Sequence, residues 1–169
     1  MTYKECITEA MLKLAQDERV LFIGQGLLDK EPFYGTLTGV PRSKMLEMPC
    51  AESLTTGVAT GLALTGWIPV LLFQRMDFML LAADQIINHL AIMPKMSGGQ
   101  FKLPMIIRCC VGSQDEKFQV GIQHNKNFKI LFMDYLTVFD MTSYLSSAFE
   151  LPKESTMVVE YKDMYGTNV

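Results

Sequence analysis

Ala51-Glu52-Ser53-Leu54-Thr55-Thr56-Gly57-Val58-Ala59-Thr60-Gly61-Leu62-Ala63-Leu64-Thr65-Gly66-Trp67-Ile68-Pro69-Val70-Leu71-Leu72-Phe73 is the stretch on which the fold turns. From Leu54 to Phe73 it carries no charged residue, a run long enough to cross a bilayer as one helix. Thr55, Thr56, Thr60 and Thr65 break its apolarity, however, and Gly66 and Pro69 cut it. It reads instead as a helix from about Ala51-Glu52-Ser53 to Leu64, a turn, and a short buried strand over Ile68–Phe73. Gly57 and Gly61 lie one turn apart on that helix and allow close approach of a neighbour.

The alternation continues in both directions. Upstream, Thr2 and Glu5 have capping-box spacing ahead of Ile7, Ala10, Met11 and Leu14, which share one helical face. Val20-Leu21-Phe22-Ile23 then reads as a buried strand stopped at Gly24. Residues 25–49 are polar and punctuated by Gly26, Gly35, Gly39 and Pro41, which predicts a long functional loop. Downstream, Phe78, Leu81, Ala82, Ile86, Leu90 and Met93 recur at helical spacing. Strands follow at Pro104–Cys109, Leu136–Phe139 and Met157–Glu160, with a short helix expected over Tyr144–Phe149. Buried strands alternating with helices predict a parallel sheet covered on both faces. Ligands of such sheets bind at the carboxyl ends of the strands. Those ends carry Gly24-Gln25-Gly26, Gln74-Arg75 and Cys110-Val111-Gly112.

Bulk properties narrow the function class. A chain of 169 residues with formal charge −3 and no basic run offers no electrostatic case for nucleic acid or an anionic membrane. The opening Met1-Thr2-Tyr3-Lys4-Glu5 has no basic-then-apolar leader. Cys6, Cys50, Cys109 and Cys110 form no C-x-x-C pair, and Cys109 and Cys110 point to opposite faces of a strand, so a reduced, cytoplasmic protein is the simplest reading. No P-loop, G-x-G-x-x-G, G-x-S-x-G or H-E-x-x-H motif appears. Asp77 and Asp84 suit helix-start capping and a solvent or interface role respectively, and metal binding by this chain is not expected. His89, in a packing helix, reads as structural.

Met48-Pro49-Cys50-Ala51-Glu52-Ser53, Gly57–Gly66, Pro69-Val70, Asp77-Phe78, Ala82–His89, Met96–Gln100, Pro104–Arg108, Gln123-His124-Asn125 and Glu160–Tyr165 occur in this order. Together they resemble the beta subunit of the 2-oxo acid dehydrogenases over nearly the whole chain. The resemblance implies the pyrimidine-binding (transketolase-like) domain of a thiamine-diphosphate enzyme. It implies one three-layer α/β domain over residues 1–169, a mainly parallel sheet with helices on both faces. Glu52 matches the catalytic carboxylate that hydrogen-bonds the aminopyrimidine ring and holds and returns a proton. Phe78 matches the aromatic beside the pyrimidine, and Gln25 and Leu81 are its further cofactor-binding candidates. His124 matches the active-site histidine that reaches toward substrate or acyl acceptor. Met96–Gln100, a turn by composition, is implied to line the route to the cofactor or partner.

Each assignment has a plainer counterpart. Glu52 taken alone is a first-turn acid favoured by the helix dipole. Phe78 is also one more core residue on an apolar face, and His124 a loop histidine bonded to backbone. Gln25 departs from the family, which usually has an acid there. The region after His124 and the loop after the Leu136–Asp140 strand are shorter than in the family, which puts a monovalent-cation site found in some relatives in doubt. The family's carboxyl-terminal domain and the G-D-G…N signature of the diphosphate-binding domain have no counterpart in the sequence. The resemblance therefore implies a split enzyme. A separate, alpha-like subunit would hold most of the Mg2+ and diphosphate, in a heterotetramer acting on a 2-oxo acid. A split transketolase acting on sugar phosphates and a non-catalytic scaffold subunit are the alternatives.

Overall fold

The computed structural model describes residues 1–113 and 121–169. Helix α1 (Tyr3–Leu14) starts at Thr2, whose hydroxyl accepts from the Glu5 amide while the Glu5 carboxylate accepts from the Thr2 amide. The predicted capping box is thus present and satisfies two orphaned donors. Tyr3, Ile7, Met11 and Leu14 bury the helix's apolar face. The other elements are β1 (Val20–Gly24), β2 (Met45–Glu47), α2 (Glu52–Leu64), β3 (Ile68–Phe73), α3 (Met76–Met79), α4 (Met93–Met96), β4 (Met105–Val111), β5 (Thr137–Asp140) and β6 (Ser155–Tyr161).

The strands form one sheet in the order β2-β1-β3-β4-β6-β5, and every pairing is parallel. Successive residues feed opposite cores, as the pleat requires. Val70, Leu72, Ile106 and Cys110 pack with α1, whereas Leu71, Phe73, Ile107 and Cys109 pack with α2 and α3. Cys109 and Cys110 therefore do face opposite ways, and all four cysteines are free thiols.

Three sequence expectations need correction. The segment 25–49 is not loop throughout, because Met45–Glu47 pairs with Phe22–Gly24 as the edge strand β2. Three residues, two of them exposed, leave no period-two signal. The helix expected through Phe78–Met93 is broken into α3, a 3-10 turn at Leu80–Ala82, a π-helical segment at Gln85–Leu90, and α4. Ala82, Ile86 and Leu90 stay in the core while the chain bends by 60° around them. The helix expected over Tyr144–Phe149 is a single 3-10 turn, Ser146–Phe149.

Among the described residues no single helix is long and apolar enough to cross a membrane. The bent pair Met76–Ala82 and Gln85–Met96 passes by length and composition, but Met76, Met79, Ala82, Ile86 and Leu90 are buried in this chain's own core.

Topology places the site. From β1 the chain crosses outward to β2, and α2 carries it back over β1 to β3 on the other side. The crevice of such a sheet opens where successive connections diverge, at the carboxyl ends of β1 and β3. Because β2 runs parallel to β1, it delivers the first residue of α2, Glu52, to that same end.

Candidate active site

At this point the structure has a shallow cleft lined by Gly24, Gln25, Glu52, Thr55, Leu72, Phe73, Gln74 and Phe78. Gly24 ends β1 under Leu72: a Cβ there would stand 2.5 Å from the Leu72 carbonyl oxygen, so only a bare backbone lets β1 and β3 close the floor. Glu52, half-buried, opens α2, and Thr55 follows one turn later on the same face. The Thr55 hydroxyl donates to the Ala51 carbonyl at 3.0 Å, which turns its methyl and the helix's first turn into a fixed wall. Phe78, half-buried in α3, supplies the aromatic wall.

His124 stands against Phe78, with ring centroids 5.2 Å apart in an edge-on arrangement. Its segment is anchored on its carboxyl side. Asn127 Nδ2 donates to the Tyr161 hydroxyl at 2.8 Å, and that hydroxyl donates to Asp140 at 2.6 Å. Lys129 pairs with the same Asp140, and the Phe128 amide donates to Met76 Sδ at 3.0 Å. The closest approach is at Gly112, just past β4. A Cβ there would lie 2.2 Å from the His124 carbonyl oxygen and 2.9 Å from Arg75 Nη1.

The loop beneath the cleft carries backbone strain. Phe33 and Tyr34 have φ of 44° and 59°, the left-handed region that side chains disfavour. Two contacts hold them there. The Phe33 ring lies 5.1 Å from the Arg108 guanidinium, and the Tyr34 hydroxyl donates to the Gln74 carbonyl at 3.1 Å. Non-glycine residues held this way cluster at functional sites.

The structure thus brings Gln25, Glu52 and Phe78 into one cleft and sets His124 at its edge. Leu81 does not join them; it is 70% exposed beyond the cleft. His89 and Asp84 pair with each other on the surface at 3.4 Å, and Asp84 also accepts from Asn88. Asp77 makes no capping hydrogen bond, and its Oδ2 is buried without a hydrogen-bond partner among the described residues. The Met96–Gln100 turn lies at the opposite end of the sheet, beside a groove shared with Leu103, Thr137 and Ser155 at the strands' amino ends. The sequence gives Thr55 no role, although helical spacing from Glu52 supplies it, and gives Gly112 only as part of a strand's carboxyl end, because its need arises from a contact 12 positions away in the chain. Among the described residues no group of three His, Cys, Asp or Glu side chains could hold a metal ion.

A half-buried carboxylate, an adjoining aromatic ring and flanking amides suit a flat, hydrogen-bonding heterocycle. Buried walls give area, while a few placed polar groups give orientation.

No protein-family profile matches this chain. It is 32% identical over 133 residues to the mitochondrial pyruvate dehydrogenase E1 component subunit beta of Saccharomyces cerevisiae, covering 76% of this chain and 36% of that protein. It is 32% identical over 124 residues to the corresponding subunit of Chaetosphaeridium globosum, covering 71% and 37%. The Rickettsia conorii subunit is 29% identical over 133 residues, covering 76% and 40%. The chain therefore spans little more than a third of the length of these relatives. In three dimensions it resembles a split-gene transketolase solved as an inactive beta4 tetramer, with TM-score 0.68 over 98% of this chain and 52% of that one. At 18% identity that likeness shows the shared fold.

Proposed function

We propose that this chain, a homologue of the beta subunits of pyruvate dehydrogenase, is the pyrimidine-binding subunit of a split thiamine-diphosphate-dependent enzyme that decarboxylates a 2-oxo acid and transfers the acyl or two-carbon unit. The observation that carries this reading is the convergence of Glu52, Gln25 and Phe78, far apart in sequence, in one cleft at the carboxyl ends of β1 and β3.

The residues present fit an aminopyrimidine. Glu52 would hydrogen-bond its ring nitrogen, Phe78 would cover one ring face, and Gln25 and Gln74 would supply polar edges. When bound, thiamine diphosphate supplies an electron sink for loss of carbon dioxide from the 2-oxo acid. Glu52 contributes a carboxylate that holds a proton at the ring and returns it. Phe78 excludes water from one side of the cleft. His124, set edge-on to Phe78, is placed to orient a substrate or acyl acceptor.

Mg2+ and the diphosphate are assigned to a separate, alpha-like subunit. The half-site on this chain then works when the two subunits meet, in a heterotetramer of two copies each.

In the reconstituted complex, Glu52→Gln is expected to slow proton–deuterium exchange at the thiazolium carbon by about 10²–10⁴ while leaving the fold intact, because glutamine is nearly isosteric but cannot cycle a proton. Exchange as fast as in the unsubstituted complex would remove Glu52 from this role.

A further inference from the structure

We infer that Glu47, which no role above uses, is the positioning residue of this cleft, its carboxylate fixing the turn that carries Gln25 and supports Gln74; the inference rests on the thiamine-diphosphate reading above. Glu47 is the last residue of β2. Its Oε1 accepts from the Gly26 amide at 2.7 Å, and its Oε2 accepts from the Leu27 and Leu28 amides at 2.6 and 3.0 Å. Three successive N–H groups converging on one anion form a nest, and hydrogen bonds to an ionised acceptor are stronger than neutral ones.

The turn so held is part of the site's wall. Gly26 has φ of 70°, and a Cβ on it would lie 2.4 Å from Gln74 Nε2, so the Gln74 amide rests directly on this glycine. One residue earlier, Gln25 Nε2 donates to the Pro49 carbonyl at 2.9 Å, and the Met48 amide donates to the Gly24 carbonyl at 2.8 Å. The strand end Glu47-Met48-Pro49 is therefore stitched to Gly24-Gln25-Gly26 immediately before Glu52. One carboxylate ties together two amide walls of the cleft and the start of the helix that carries the acid.

The two glutamates thus divide the work. Glu52 lines the cleft, whereas Glu47 gives both oxygens to backbone amides and does not line it. An amide at position 47 keeps one acceptor oxygen and turns an NH2 group toward backbone donors, which leaves at least one N–H without a partner.

Glu47→Gln and Glu47→Asp test this in the complex co-expressed with its diphosphate-domain subunit. Three quantities are read on the same samples: amide hydrogen exchange at residues 26–28, the thermal midpoint, and the KM for thiamine diphosphate. Glu47→Gln is expected to speed exchange at these amides and to raise the KM about tenfold, the scale of one lost charge-assisted hydrogen bond. Glu47→Asp, which keeps the charge, is expected to recover most of the protection and most of the KM. A purely structural staple predicts something else: a lower midpoint and a smaller active fraction, hence lower kcat, with KM unmoved. That pattern, or unchanged exchange at residues 26–28, overturns the proposal. An unsubstituted complex with no thiamine-diphosphate dependence overturns the functional reading itself, and is recognised separately because the exchange measurement does not involve the cofactor.

Discussion

At the scale of single residues, the most constrained side chain is Arg108, fully buried in the middle of β4. Its Nε and Nη2 donate to the two Glu160 oxygens at 2.6 and 2.9 Å, and Nη2 also reaches the Thr36 hydroxyl at 3.0 Å. The Phe33 and Phe149 rings lie 5.1 and 5.9 Å from the guanidinium, which compensates an Nη1 that has no hydrogen-bond partner among the described residues. Burial disfavours the Arg108 cation, but the charge and hydrogen bonds of Glu160 outweigh it and hold its pKa above the ordinary guanidinium value. The same surroundings push the Cys110 thiol up to about 12, through burial first and the Glu160 charge second. The pair is not evidence of large net stabilisation, since burying both ions costs about what their attraction returns. Removing one partner is different, because it strands the other charge. Glu160→Gln is expected to destabilise the fold by about 3–5 kcal/mol, measured by urea unfolding at neutral pH. Arg108→Met combined with Glu160→Leu should recover much of that loss, and failure of the double variant to exceed Glu160→Gln in stability would contradict the stranded-charge account.

At the scale of elements, β4 ends where His124 must pass, and Gly112 makes the passage. Its missing Cβ leaves room for the His124 carbonyl, a rigid backbone atom that cannot swing aside as a side chain would. Gly112→Ala therefore moves either the His124 segment or the end of β4. The anchors at Asn127, Phe128 and Lys129 lie on the far side of His124, so the shorter lever is His124 itself. The expected outcome is a displaced His124 and a loss of turnover of about 10²-fold, the scale on which about 1 Å of misplacement acts. Proton exchange at the thiazolium carbon, for which the proposed function calls on Glu52 and not His124, should fall far less. Equal losses in the two measurements would show that Gly112→Ala disturbs the whole cleft. The broken helix after β3 makes a related point. Its π-helical turn keeps Ile86 and Leu90 buried, while the preceding 3-10 turn leaves Leu80 and Leu81 exposed.

At the scale of the molecule, the proposed assembly needs a surface that gains by being covered. On α2, a Cβ on Gly57 would lie 3.6 Å from Gln85 Oε1 inside the chain, whereas a Cβ on Gly61 would meet nothing within 4 Å among the described residues. Leu54 and Leu64 on the same helix are 54% and 42% exposed. Ala82, by contrast, packs in this chain's own core and offers no surface. Exposed apolar residues around a bare helix backbone mark a face that gains by being covered. The isolated chain is expected to bind thiamine diphosphate weakly, to show no turnover and to self-associate. Co-expressed with a diphosphate-domain subunit, it should form a discrete two-plus-two complex. Light scattering and calorimetric titration decide this. A monodisperse monomer that ignores the co-expressed subunit, or tight cofactor binding by the chain alone, would contradict the split site.

How much of this was legible beforehand follows from the range of the interactions involved. The capping box at Thr2 and Glu5, the buried strands at Val20, Ile68, Met105 and Met157, and the α2 helix were all readable, because periodicity and capping act within a few residues. The block around Glu52 and Phe78 carried the family resemblance because residue type and order survive without coordinates, and the structure places both residues in one cleft. What the tertiary structure alone decided lies between segments. Edge strand β2 is three residues long and forms because β1 is there to pair with, so no local pattern announces it. That strand brings Glu52 to the carboxyl end of the sheet, and Glu47 meets the amides of Gly26, Leu27 and Leu28 through the same pairing. Leu81 shows the converse. The resemblance implied a cofactor contact there, whereas in this chain Leu81 lies in the 3-10 turn Leu80–Ala82 and is exposed, because Ala82 is the residue of that turn that core packing draws inward.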